Sequence, residues 1–185
     1  VKRTWPDGSI RHAIVSAKVS GAGPLAITPG TPAVGVYNPT WPSAAVTFTI
    51  AGVQYVANLG SYDGAYPWLT GPVVNETRRQ VAPVGPGGAH PFLRVVFDVR
   101  SYNDGAHRID IAVNNVLNVA ATDTVTYDVA VSLGGTTRYS RSALSHGSFR
   151  RWRHTLWTTG ASEASYVPDL VPFFNSRALA RFLST

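Results

Sequence analysis

Two turns constrain this chain more than any other feature. In PFLRVVFDVRSYNDGAHRIDIAVNNVLNV, Asn103-Asp104-Gly105 separates two β-prone runs, and in TVTYDVAVSLGGTTRYSRSAL the pair Gly134-Gly135 does the same. A tight hairpin turn needs φ > 0 at its central residues, which Gly tolerates without steric cost and Asn or Asp with little. After the first turn, Ile109, Ile111 and Val113 alternate with Arg108 and Asp110, the period-two pattern of a strand with one dry and one wet face. Two such hairpins make an antiparallel all-β fold the natural solution, either a β-barrel or a barrel-like sandwich.

The rest of the chain extends this reading. AVTFTIAGVQYVANL contains two short alternating runs around Ala51-Gly52, a third hairpin. VVNETRRQVAPV reads as a polar-faced strand that ends where the Gly and Pro of GPGGAHP stop regular structure. GSFRRWRHTLWTTG reads as a further strand with Arg151 and Arg153 on one face and Trp152 packed on the other. Near the start, Pro6-Asp7-Gly8-Ser9 is turn chemistry, and the run from Ile10 to Val19 reads as a strand opening from it. Residues 20–45 and 60–72 are Gly- and Pro-rich and are expected to be long loops, the second crowded with aromatic rings. At the other end, YVPDLVPFFN reads as a linker, and Ala178, Leu179, Phe182 and Leu183 recur at helical spacing behind the cap residues Asn175-Ser176. Residues 1–166 are thus expected to form the β-domain, and 167–185 a linker and short helix.

Composition narrows the function classes. The 185 residues contain no Cys and no Met, which removes disulfides and thiolate chemistry. The missing Met, together with a strand that opens so early without a partner, leads to the expectation that the chain is a piece of a longer polypeptide whose first strands lie upstream. No apolar run approaches the roughly 18 residues of a membrane span. The formal net charge of +6, carried almost entirely by arginine, reads as a solvated basic face, with a patch for an acidic partner such as nucleic acid, an anionic glycan or a neighbouring protein as the alternative.

No catalytic constellation emerges. His12, His90, His107, His146 and His154 are scattered without metal-ligand spacing, so no metal and no cofactor is expected. Ser145-His146-Gly147-Ser148 lacks a nucleophile elbow and reads as a turn. Gly85-Pro86-Gly87-Gly88 lacks the Lys and Ser/Thr of a phosphate cradle. Glu76, Asp98, Asp110 and Asp128 could meet across a sheet as an acid-base pair, but arginines at 78, 79, 94, 100 and 108 are placed to neutralise them as cross-strand ion pairs. Asp7 is expected to brace its turn.

Two binding candidates remain. The first is a set of aromatic rings, Trp41, Tyr62, Tyr66 and Trp68, which either stack on sugar faces and mark an interface or cap an open barrel end as core. The second is a basic strip of Arg138, Arg141, Arg151 and Arg153, with Arg150 beside it, which reads either as the ordinary wet face of a sheet or as a site whose guanidinium groups suit carboxylates or phosphates. Trp5 and Trp152 are expected to be packing residues, and Trp68 the ring that faces a partner.

RTWPDGSIRHAIVSA resembles a recurring WPDGS-and-strand segment in the N-terminal domain of exo-rhamnogalacturonan-lyase-like proteins, and FRRWRHTLWTTG is similar to the strand that closes that domain. The resemblance extends to domains of phage and prophage tail-associated proteins, in which a connector follows that Asp169-Leu170 would match. It implies a RIFT-type β-barrel, a structural or assembly role in a phage tail or other extracellular, polysaccharide-associated protein, and contacts with other domains or subunits, a bacterial surface or an acidic polysaccharide. Lyase relatives place catalysis in a helical toroid downstream of the barrel. Two alternatives stand beside this reading: an accessory domain contributing to a polysaccharide-lyase site, and a basic nucleic-acid-binding barrel, the least favoured partner class.

Overall fold

A computed structural model describes residues 3–16, 26, 30–31, 33–117 and 124–159. Among them thirteen strands follow one another: β1 (Arg3–Thr4), β2 (Ile10–His12), β3 (Ala44–Ile50), β4 (Val53–Asn58), β5 (Pro67–Leu69), β6 (Val74–Val81), β7 (Val84–Gly85), β8 (Gly88–Ala89), β9 (Leu93–Tyr102), β10 (His107–Asn115), β11 (Thr124–Leu133), β12 (Thr136–Gly147) and β13 (Arg151–Trp157). All pairings are antiparallel. A five-stranded sheet has the order β13-β10-β9-β6-β5, and a six-stranded sheet the order β12-β11-β3-β4-β7-β8. The fold is therefore a barrel-like sandwich rather than a closed barrel.

The expected hairpins form where the turn residues lie. Gly105 takes φ +85°, and Gly134 and Gly135 take +59° and +77°. β9 and β10 pair in unbroken register from His107↔Ser101 to Asn115↔Leu93. Because side chains alternate across a strand, this register sends Val95, Phe97 and Val99 and their partners Ile109, Ile111 and Val113 into one layer. Val46, Phe48, Tyr127, Val129 and Val131 of the other sheet meet them, closing a single core. Sheet-on-sheet packing of alternating apolar faces is what holds the domain.

Glycine is required at Gly85 for a different reason. A Cβ there would lie 2.8 Å from the Gln54 carbonyl oxygen and 2.7 Å from the Tyr55 ring. The stretch GPGGAHP, expected only to stop regular structure, instead holds the β7–β8 turn close against β4.

Several expectations are corrected. The strand from Ile10 to Val19 shrinks to Ile10–His12, with Ala13–Ser16 outside any strand and 17–20 outside the described residues. Among the described residues β1 and β2 pair only with each other, and Trp5, Ile10, Ile14 and Val15 are exposed. Trp5 is thus not a core residue: half its surface meets solvent, and its ring lies under the Arg11 guanidinium, 4.5 Å away. A two-stranded ribbon has no second layer on which to bury a ring. Ser145 to Gly147 are the end of β12 rather than a turn, which follows at Ser148-Phe149. The linker and helix expected over 167–185, like Asp169-Leu170, lie outside the described residues. No helix among the described residues is long and apolar enough to cross a membrane.

Candidate functional site

The outward residues of the five-stranded sheet form an ordered array because their register is continuous across four strands. One row runs Thr155, Asp110, Asp98, Arg78, and the next runs Arg153, Ala112, Val96, Gln80. Beyond them come Arg151, Asn114 and Arg94 on one side, and Trp157, Arg108, Arg100 and Glu76 on the other. Ala112 and Val96 are small and buried, so the longer side chains around them wall a groove of about 480 Å³. Four arginines line it, Arg78, Arg108, Arg151 and Arg153, against two aspartates.

The ion pairs decide which of these charges remain available. Arg78 grips Asp98 with two hydrogen bonds, Nε to Oδ1 at 2.6 Å and a terminal nitrogen to Oδ2 at 2.9 Å. Asp110 accepts from Arg108 at 2.9 Å and from the Thr155 hydroxyl at 2.6 Å. Arg100 donates to Glu76 at 3.0 Å. Three of the four carboxylates weighed as catalysts are therefore bound to arginines. The fourth, Asp128, accepts the Ala143 backbone N–H at 2.8 Å on the other sheet. Arg94 departs from the ion-pair pattern, donating to the carbonyls of His90, Pro91 and Leu93. Arg151 donates to the neutral amide oxygen of Asn114, and Arg153 has no ion pair or side-chain hydrogen bond among the described residues. The groove thus keeps a positive end at β13.

Tryptophans flank this array. The Arg78 guanidinium that holds Asp98 also lies over Trp68, 5.1 Å from the ring centroid, and Arg108 lies 5.7 Å from that of Trp157. Trp68, Leu69 and Glu76 also line a second depression, of about 510 Å³, with Arg3, His12 and Ile14 of the N-terminal segment.

The candidate residues sort accordingly. Trp41 is only 8% exposed and packs edge-on against Tyr62 at 5.4 Å, and Tyr62 Oη accepts a hydrogen bond from Asn75. These two rings, from different stretches of the chain, pack with the core. Tyr66 (80% exposed, φ +50°) and Trp68 (56% exposed) are displayed. The basic strip is divided as well: Arg151 and Arg153 stand on the groove, while Arg138 and Arg141 lie on β12 at the edge of the opposite sheet. Arg141 faces a shallower, hydroxyl-rich depression with Thr47, Thr49, Ser140 and Ser142. Trp68, Arg151 and Arg153 therefore share a face, although about eighty residues separate them. Sequence reasoning missed Asn114, Thr155 and Trp157 as members. Their signal was the period of two along β10 and β13, read outward instead of inward.

The buried histidines, His90, His107 and His146, serve the fold. His146 Nδ1 meets Tyr127 Oη at 2.7 Å, Trp152 Nε1 donates to the same oxygen at 2.8 Å, and His146 Nε2 lies 2.9 Å from the Arg150 carbonyl. A carbonyl can only accept, so Nε2 carries the proton and neutral Nδ1 accepts from the phenol. Trp152 is the packing residue expected of it. Burial pushes the Tyr127 phenol up to about 12 and pushes His146 down. His90 and His107 are lowered by the same cause. With both ring nitrogens engaged, His146 is not placed as a base for the exposed Ser145. The described residues contain no cluster of His, Asp and Glu suited to a metal.

Compared with protein-family models, with curated proteins and with solved structures, the chain matches none.

Proposed function

We propose that the chain is a non-catalytic β-sandwich module of a larger, phage-tail-type or polysaccharide-associated assembly, and that the outer face of its five-stranded sheet contacts an acidic polysaccharide. The observation that carries this reading is the excess of arginine in the groove: the aspartates are neutralised by Arg78 and Arg108, leaving Arg151 and Arg153 to take a further anion. A guanidinium binds a uronate carboxylate through paired N–H donors, and the indole faces of Trp68 and Trp157 suit sugar rings. The engagement of Asp98 and Asp110 favours binding over acid-base chemistry. The resemblance to the N-terminal domain of lyase-like proteins supports the same substrate class.

Titration with oligogalacturonate, followed by tryptophan fluorescence, tests it. Binding should weaken as salt rises and should fall about tenfold or more in a double R151E/R153E variant. Equal binding of a neutral oligosaccharide, or indifference to the charge reversal in a folded variant, overturns the reading. Turnover of the polysaccharide that disappears in a folded Asp98→Asn or Asp110→Asn variant would replace a binding module with an enzyme.

A further inference from the structure

Among the described residues the sandwich has four sheet edges, and three are blunted. β5 is three residues long and irregular in register, and β8 is two residues long. β12 is long, but its pairing with β11 breaks register twice and Ala143 adopts φ +49°. Such devices keep an edge from templating another strand. β13 has none of them. It runs seven residues without Pro, Gly or bulge, in unbroken register with β10, and no strand among the described residues pairs with its other side.

The hydrogen-bond parity shows what that edge offers. At the ends of the β10–β13 ladder, Asn115 N–H donates to the Arg150 carbonyl and Thr158 N–H to the His107 carbonyl. Antiparallel ladders alternate bonded and non-bonded pairs, so Trp152, His154 and Leu156 bond to β10 through their main chains. Arg151, Arg153, Thr155 and Trp157 then turn their N–H and C=O groups away from the sheet. The side chains of these four residues stand on the outer face, while Trp152 and His154 point inward. There Tyr139 of β12 stacks on His154 at 4.4 Å, so the inner side of the edge is aromatic.

We propose that β13 is a docking edge that takes an extended acidic segment of a partner protein as an added antiparallel strand, with alternating acidic and apolar residues. Acidic side chains on the outer face would sit across from Arg151 and Arg153, and apolar ones would pack on Tyr139, Trp152 and His154. Charge selects this occupant over a second copy of the chain: with a net charge of +6 and arginines along the edge, two copies would bring like charges together. Strand addition itself rests on main-chain groups, whereas the preference for an acidic segment draws on Arg151 and Arg153, which also carry the polysaccharide reading, so the peptide's backbone is tested separately from its charge.

The test is fluorescence anisotropy of the full chain with a labelled short peptide alternating glutamate and valine. Three comparisons accompany it: the same peptide with lysine for glutamate, the acidic peptide N-methylated at alternate amides, and variants of the protein. The acidic peptide should bind, and both altered peptides should lose about tenfold or more in affinity. Thr155→Pro, which removes one outward N–H, should weaken binding, whereas Thr155→Val, which removes only the hydroxyl, should not. Equal binding of the N-methylated peptide overturns strand addition even if the proline variant fails to fold. A concentration-dependent dimer that Thr155→Pro dissociates and Thr155→Val does not, with no peptide binding, assigns the edge to a second copy and overturns the acidic partner.

Discussion

Two turns of this molecule share their chemistry and differ in everything that follows. In Pro6-Asp7-Gly8-Ser9 the Asp7 carboxylate accepts the Ser9 N–H at 2.9 Å, and in Asn103-Asp104-Gly105-Ala106 the Asp104 carboxylate accepts the Ala106 N–H at 3.1 Å. Gly8 and Gly105 take nearly the same φ, +83° and +85°. Yet the first turn joins β1 and β2, which are exposed throughout, and the second joins β9 and β10, which carry much of the core. An aspartate-glycine turn is a local device, stabilised by its own side chain and a permitted dihedral. Whether the strands it joins are buried depends on a second sheet lying across them.

The largest effect that could break this comparison is at Phe97, a fully buried ring of β9. Phe97→Ala should cost about 3–5 kcal/mol by urea denaturation, as cavity formation in a packed core does. A much smaller loss would mean that β9 is no more a core element than β1.

Next comes the buried polar network at Tyr127. Tyr127→Phe removes the partner of both Trp152 Nε1 and His146 Nδ1 and should cost about 1–3 kcal/mol. Buried histidines, His146 of this network among them, set the pH dependence. His90, His107 and His146 are lowered in the fold by burial, whereas in the unfolded chain they titrate near the ordinary value of about 6.5. Above that value both states are neutral and stability is full. Below it the unfolded chain binds more protons, so stability should fall with pH toward the lowered folded values. Urea midpoints that stay level from neutral pH down to pH ~5 would contradict the burial of these rings.

The glycines give a matched pair. A Cβ at either Gly8 or Gly105 would meet nothing within 4 Å, so alanine adds only the cost of a positive φ, about 1–2 kcal/mol locally. Gly105→Ala should lower global stability by that amount. Gly8→Ala should open only the β1–β2 ribbon, visible in amide exchange but not in the main unfolding transition. Equal shifts in both midpoints would show that the ribbon unfolds with the sandwich.

Trp5→Ala should have the smallest effect, under about 1 kcal/mol, the size of an exposed cation–π contact with Arg11. The same substitution at Trp152 should cost several times more, since that ring packs on the core and donates to Tyr127.

Much of the architecture was legible in the residues. The Asn-Asp-Gly and Gly-Gly turns, the alternation of Ile109, Ile111 and Val113, and the supply of arginines for Asp98, Asp110 and Glu76 are patterns a few residues long. Steric limits on φ and the two-residue period of a strand decide such patterns without reference to the rest of the chain. The Ile10–Val19 run misled for the same reason, since a β-prone run states a preference but not a neighbour.

Burial and company were decided by tertiary structure. Trp41 and Trp68 come from similar Gly- and Pro-rich stretches of sequence, both expected to be loops, and only the closing of the two sheets places one inside and makes the other part of β5, over Arg78. Arg141 and Arg151 are ten positions apart. They lie on different sheets because the chain crosses between layers after β12, and no local pattern encodes which layer a strand joins. The sequence by itself determined the longer strands, the turns between them and the alternation of wet and dry faces, which are short-range properties of the backbone and side chains, but not the short β5, β7 and β8. The groove and the open edge at β13 exist only because distant strands pair in a particular order, which is settled by how the whole apolar surface is buried at once.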